Sequence, residues 1–89
     1  MLRTKLVGTG TESALDTATT LDNATVIRVY NGSGATATVS VAKSTSVGYA
    51  DTATVSIPSD VVEFFEKGPN DQISASVSTV VGFKVGYTA

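Results

Sequence analysis

From Thr25 onward the chain alternates apolar and polar side chains with a period of two, the spacing of half-buried β-strands. Thr25 to Asn31 puts Ile27 and Val29 on one face and Val26, Arg28 and Tyr30 on the other. Asn31-Gly32-Ser33-Gly34 follows, a run that tolerates positive φ and predicts a hairpin reversal. The return strand is Ala37 to Ala42, with Val39 and Val41 inward. Lys43 to Asp51 reads as a polar loop carrying Gly48 and Tyr49, and Thr52 to Ile57 alternates again. Pro58-Ser59-Asp60 stops that strand, because proline fixes φ, lacks a donor and suits a turn. Val61 to Lys67 is the next strand, closed by a second turn, Gly68-Pro69-Asn70-Asp71. Ile73, Ala75 and Val77 then alternate with serines. Last, Thr79 to Tyr87 sets Val81, Phe83, Val85 and Tyr87 against Val80, Gly82, Lys84 and Gly86.

The N-terminal part is different. Arg3 to Val7 is a short strand candidate, and Thr9 to Ala24 is polar and threonine-rich, with Leu15 and Leu21 as its only large apolar side chains. Thr9-x-x-Glu12 has capping-box spacing, but no apolar helical stripe follows it. The segment therefore reads as an irregular arm pinned by its two leucines. The expected fold is all-β: a small antiparallel β-sandwich, immunoglobulin-like or jelly-roll-like, of about seven short strands with an irregular N-terminal arm. A single domain is expected over 1–89, with the first strand and arm in 1–24 and the sandwich core in 25–89.

Composition supports this and narrows the function. A chain of 89 residues holds one hydrophobic core, and its residues are 42% hydrophobic but only 7% aromatic. Valine and threonine dominate, and β-branched side chains suit a pleated sheet. The net charge is −2, and Arg3, Lys5, Arg28, Lys43, Lys67 and Lys84 are scattered, so no basic patch attracts nucleic acid. No cysteine is present, which excludes disulfides and thiolate chemistry. Neither a signal-peptide stretch nor a membrane-spanning run occurs, so the expectation is a protein made and used without translocation, or one released by another route such as cell lysis, with no membrane partner.

Candidate chemistry is sparse. General acid and base work at neutral pH usually falls to histidine, which is absent, or to carboxylates perturbed by burial or like charge. Asp60 and Asp71 sit in turns and are explained as turn formers. Glu63 and Glu66 are an odd number apart, so a regular strand places them on opposite faces. Asp16 and Asp22 are too few for a calcium loop. No catalytic, cofactor-binding or metal-ligating residue is assigned.

Recognition is the better-supported expectation. Phe64 and Phe65 are adjacent, so one ring enters the core and the other leaves it, with Phe65 assigned to the partner surface. Gly82 and Gly86 flank Lys84 on one face and would let another chain approach closely. Arg28, Tyr30 and Tyr49 complete the candidate interface, and Tyr87 is the remaining tyrosine. A homo-oligomer is expected on these grounds.

Thr25 to Asn31 with Gly32-Ser33-Gly34, and Ile57-Pro58 leading into Val61-Val62-Glu63-Phe64-Phe65-Glu66-Lys67-Gly68-Pro69-Asn70-Asp71, resemble small virion structural proteins of tailed bacteriophages, particularly cyanophage types. The resemblance covers the C-terminal two thirds, and the arm from Thr9 to Ala24 has no counterpart in it. It implies a capsid decoration or cement protein, made in the host cytoplasm and carried on the virion, whose partner is the major capsid protein or another virion protein. A tail or fibre accessory protein, or a carbohydrate-binding or adhesin-like sandwich, is the alternative.

Overall fold

Among the described residues eight strands build two antiparallel sheets: β1 Arg3–Leu6, β2 Ser13–Ala14, β3 Val26–Asn31, β4 Ala37–Thr45, β5 Gly48–Ile57, β6 Val62–Glu66, β7 Gln72–Ala75 and β8 Val80–Thr88. The computed structural model describes residues 3–88, with side chains described as far as Gly86; the side chain of Tyr87 lies outside the described residues. The larger sheet runs β1-β8-β3-β6, with β2 also pairing β8, and the smaller runs β5-β4-β7. The pairs β3–β6 and β4–β7 lie in opposite sheets, as the B–E and C–F pairs do in immunoglobulin-type sandwiches. β8 departs from that scheme by joining β3 rather than β7.

Ile27, Val29, Ala37, Val39, Ile57, Ile73 and Val80 face one another between the sheets and are buried, together with Leu15 and Ala24 from the arm. Leu21, Val41, Val61, Phe65 and Ala75 pack against this cluster. Burying such apolar area is worth roughly 25 cal/mol per Å², and it is the main favourable term available to a chain without disulfides.

Two expectations are corrected. Asn31 to Gly34 is not a hairpin: β3 and β4 belong to different sheets, and the segment carries the chain across the sandwich. The Asn31 side chain is the reason. It is fully buried, and its Nδ2 donates to the carbonyls of Ala35 at 2.9 Å, Ile57 at 2.8 Å and Pro58 at 3.2 Å. Its Oδ1 accepts from the Ser33 amide at 3.0 Å. The amide thereby ties the end of β3 to the end of β5. The second correction concerns Lys43 to Asp51, which is strand apart from the two-residue turn Ser46-Val47. β4 and β5 pair from Ala37↔Ile57 out to Thr45↔Gly48, with a register shift between Val41 and Lys43 and with Asp51 at φ 52°.

The turn after β6 is built around Asp71. Its Oδ1 accepts from the Ser44 amide and its Oδ2 from the Gly68 amide, both at 2.9 Å, with the Lys43 ammonium at 3.7 Å from Oδ2. A Cβ on Gly68 would meet Asp71 Oδ2 at 2.9 Å, so a side chain there would push the carboxylate out of its present position. The buried Lys67 beside it donates to the carbonyls of Ala24 at 2.7 Å and Gly68 at 3.1 Å, and burial lowers its pKa.

The two backbone donors hold the Asp71 carboxyl below the usual carboxylate range. Between that lowered value and the unfolded value of about 3.9, the unfolded chain binds more protons than the folded one. The stability Asp71 contributes is therefore present above about pH 4 and lost as pH falls through its folded pKa. Thermal unfolding followed from neutral to strongly acidic pH should show that decline in the wild type. Asp71→Asn should lower Tm at neutral pH and flatten the acid slope; an unaltered slope would remove Asp71 from the account.

Candidate interaction surface

The outer face of the larger sheet does not follow the usual rule for a solvated antiparallel sheet, apolar in and polar out. Register places Leu6, Val85, Val26 and Glu66 in one row across it. Phe83, Arg28 and Phe64 form the next row, and Val81, Tyr30 and Val62 the third. Most of these are apolar, and Leu6 is 69% exposed, Phe64 42% and Val62 37%. Arg28 stands in the middle and pairs through Nη1 with Glu12 Oε2 at 2.9 Å. Both partners are partly exposed, so the pair orients the arginine more than it stabilises the fold. The Tyr30 hydroxyl donates to Asp60 Oδ1 at 3.0 Å, and that carboxylate raises the Tyr30 pKa.

Above Phe83 the chain leaves the sheet edge between β1 and β2 as a short loop, Gly8 to Glu12. On the outer side of this loop, Leu6, Gly10, Thr11, Glu12, Arg28 and Phe83 line an apolar groove of about 350 Å³. On the inner side, a more polar cleft of about 410 Å³ is lined by hydroxyl residues including Thr9, Thr11, Ser13 and Thr19, by Asp22 and Lys84, and by Phe83.

The chain matches no family model, and comparison with curated proteins and with solved structures finds no significant relative. The surface must be read from its own residues.

Arg28 and Tyr30 lie together on the outer face, in adjacent rows. The phenylalanine pair splits with roles opposite to those expected. Phe65 sits across from Ile27 and packs on the core, while Phe64 sits across from Arg28 and is exposed. Tyr49 is 47% exposed but belongs to β5 of the smaller sheet and does not join this face. The glycine strip is not open surface. Gly82 and Lys84 sit across from Val29 and Ile27, so they point inward. A Cβ on Gly82 would meet Leu15 Cδ1 at 3.1 Å and Ile27 Cγ2 at 3.2 Å, so the space that glycine leaves is filled by the chain's own arm. At Gly86 the nearest atom to such a Cβ is Val7 Cγ2 at 3.5 Å.

Lys84 holds the arm as well. Its Nζ donates to the Asp22 carbonyl at 2.9 Å and lies 3.6 Å from the Asp22 carboxylate. Leu21, Asp22 and Asn23 all have φ between 52° and 56°, a left-handed turn that costs non-glycine residues of the order of 1 kcal/mol each. Lysine donors to the carbonyls of Asp22 and Ala24, and Thr19 Oγ1 accepting from the Leu21 amide at 3.0 Å, keep it in place.

Leu6, Val62 and Phe83 were missed as surface residues. A signal existed: Val26-Ile27, Phe64-Phe65 and Val80-Val81 are apolar doublets, and adjacent residues on a strand point to opposite faces. Three doublets on strands that share a sheet mean that both of its faces are apolar. Among the described residues no group of three metal-ligating side chains gathers.

Proposed function

We propose that the chain is a non-enzymatic virion structural protein of a tailed bacteriophage, a capsid decoration or cement protein that seats the outer face of its larger sheet on the assembled head. One observation carries this reading. A sheet face made of Leu6, Val26, Phe64, Val62, Val81 and Phe83 around a central Arg28 is more apolar than the solvated face of an antiparallel sheet ordinarily is, and a contiguous apolar face of this kind suits docking on another protein. The likeness of the β3 and β6 segments to phage virion proteins supplies the setting, and the major capsid protein or another virion protein is the partner. Binding to a preassembled lattice stabilises whatever docks on it by mass action.

The test uses recombinant protein added to purified particles that lack it, followed by electron microscopy and quantification of bound protein. Wild-type protein should decorate the head at fixed sites, and the double variant Leu6→Lys/Phe64→Lys, shown to fold by circular dichroism, should lose at least about tenfold in affinity, the equivalent of roughly 1.4 kcal/mol. No binding by the wild type, or equal binding by the variant, removes the proposal; density on the tail would move the protein to a tail accessory role.

A carbohydrate-binding or adhesin-like module is the second reading, favoured by the hydroxyl-lined cleft beside Phe83. A glycan array without signal above background would discard it.

A further inference from the structure

The sheet edges are guarded unequally. β1 is four residues long and carries Arg3 and Lys5, and β6 is five residues long and carries Glu63 and Glu66. The outer edge of β7 is met by the arm, where Thr19 and Ile73 exchange both backbone hydrogen bonds, at 3.1 and 2.9 Å. β5 is ten residues long and exposed at every position before Ile57. It holds neither lysine nor proline, and Asp51 is its one charge. Among the described residues it pairs with β4 alone. Such an edge presents a row of unused N–H and C=O groups, and proteins ordinarily blunt it with charge, proline or a covering segment.

The side chains of β5 also fit a strand like itself. Ala53 and Val55 sit across from Val41 and Val39, on the inner side, yet Val55 is 47% exposed because the larger sheet does not cover this flank. Thr52, Thr54 and Ser56 are on the outer side, where the Thr54 hydroxyl meets that of Ser40 at 2.8 Å. We propose that β5 pairs antiparallel with β5 of a second copy of this chain about a two-fold axis at Thr54, joining the two smaller sheets into one continuous sheet.

On that axis Thr54 faces its own counterpart, Thr52 faces Ser56 of the second copy, and Ala53 faces Val55 of the second copy. Hydroxyls meet on the outside and apolar side chains on the inside, both favourable cross-strand pairings. Asp51 falls opposite Ile57 of the second copy, so the two aspartates lie at opposite ends of the ladder and no like charges meet. An isologous contact of this kind closes as a dimer and leaves no further edge of the same type. The ladder is one strand pair and short, so the dimer should be reversible and visible at high protein concentration. The inference goes beyond the virion reading and does not depend on it.

The chain has no cysteine, so single cysteines report proximity without background. Opposed residues in an antiparallel pair have Cα atoms about 4.5 to 5.5 Å apart, within disulfide reach. Mild oxidation of Thr54→Cys should give a covalent dimer much faster than Glu63→Cys on β6 or Ser74→Cys on β7. Sedimentation velocity of the wild type should show a monomer shifting to dimer with concentration, and Val55→Lys, at a half-exposed position that tolerates the change, should weaken that association at least about tenfold. A monomer at every concentration, a dimer indifferent to Val55→Lys, or Thr54→Cys linking no faster than Glu63→Cys would each overturn the proposal. If the edge instead serves a different protein, the isolated chain stays monomeric and the second-copy assignment falls.

Discussion

Leu15→Ala is expected to lower the stability of the chain by about 2 to 5 kcal/mol, the range for removing a fully buried leucine from a core that cannot collapse around the gap. Leu15 has no exposed surface, and its methyls sit where a side chain at Gly82 would otherwise be. Its backbone works too: the amide donates to the Val80 carbonyl at 3.0 Å in the larger sheet, and the carbonyl accepts from the Ala75 amide at 2.6 Å in the smaller. Leu15 therefore joins the two sheets along one side of the sandwich, with the Thr19–Ile73 bridge continuing the closure. A domain of this size is typically stable by about 5 to 15 kcal/mol, so the loss takes a large share of the total. Each kcal/mol corresponds to roughly 4 to 8 °C in Tm, and calorimetry should record a fall of at least about 8 °C. Hydrogen exchange at the Thr19 and Ile73 amides should accelerate by more than exchange within β3, because the arm loses its anchor first. A fall of only a degree or two would show that Leu15 is not packed as described.

Asn31→Ala should have an effect of similar size by another route. The native Nδ2 donates to the carbonyls of Ala35, Ile57 and Pro58 and Oδ1 accepts from the Ser33 amide, and the Asn31 side chain itself has no exposed surface. Stripping a buried partner leaves groups whose desolvation costs about 1 to 3 kcal/mol each, and a total near 3 kcal/mol is expected, or a drop of the order of 12 to 24 °C in Tm. Asn31→Asp separates this from simple loss of packing. It keeps the shape but turns an acceptor-only carboxylate toward the carbonyls of Ile57 and Pro58. It should therefore be at least as damaging as alanine at neutral pH and partly relieved in acid, where a protonated carboxyl regains one donor. If the aspartate variant matched the wild type at neutral pH, the hydrogen-bonded role of Asn31 would be refuted.

These two residues also show how the candidate surface arises. With the inner face of β8 filled by Leu15 and with β3 tied across the sandwich by Asn31, the apolar residues left over have one place to go. Val81, Phe83, Val26, Phe64 and Val62 end on the outside of the larger sheet, flanking Arg28 and Tyr30. The same packing removes Gly82 from the surface and leaves β5 as the unguarded edge.

Local pattern was enough to mark most of the strands, the turns at Pro58 to Asp60 and Gly68 to Asp71, and the pinning of the arm by Leu15 and Leu21, because each depends on the alternation, φ preference or size of neighbouring residues. Alternation is blind to sign, however. In β8 it separated Val80, Gly82 and Lys84 from Val81 and Phe83, but with apolar residues on both sides it could not say which set faces inward. That choice was made by Leu15, more than sixty positions away along the chain, whose side chain needs the space at Gly82. The strand partners were decided in the same way: Asn31-Gly32-Ser33-Gly34 has the residues of a hairpin, and only the carbonyls waiting at the end of β5 turn it into a crossing between sheets. A turn preference worth a fraction of a kcal/mol yields to a buried amide with several partners, and those partners come together only once the sandwich has closed.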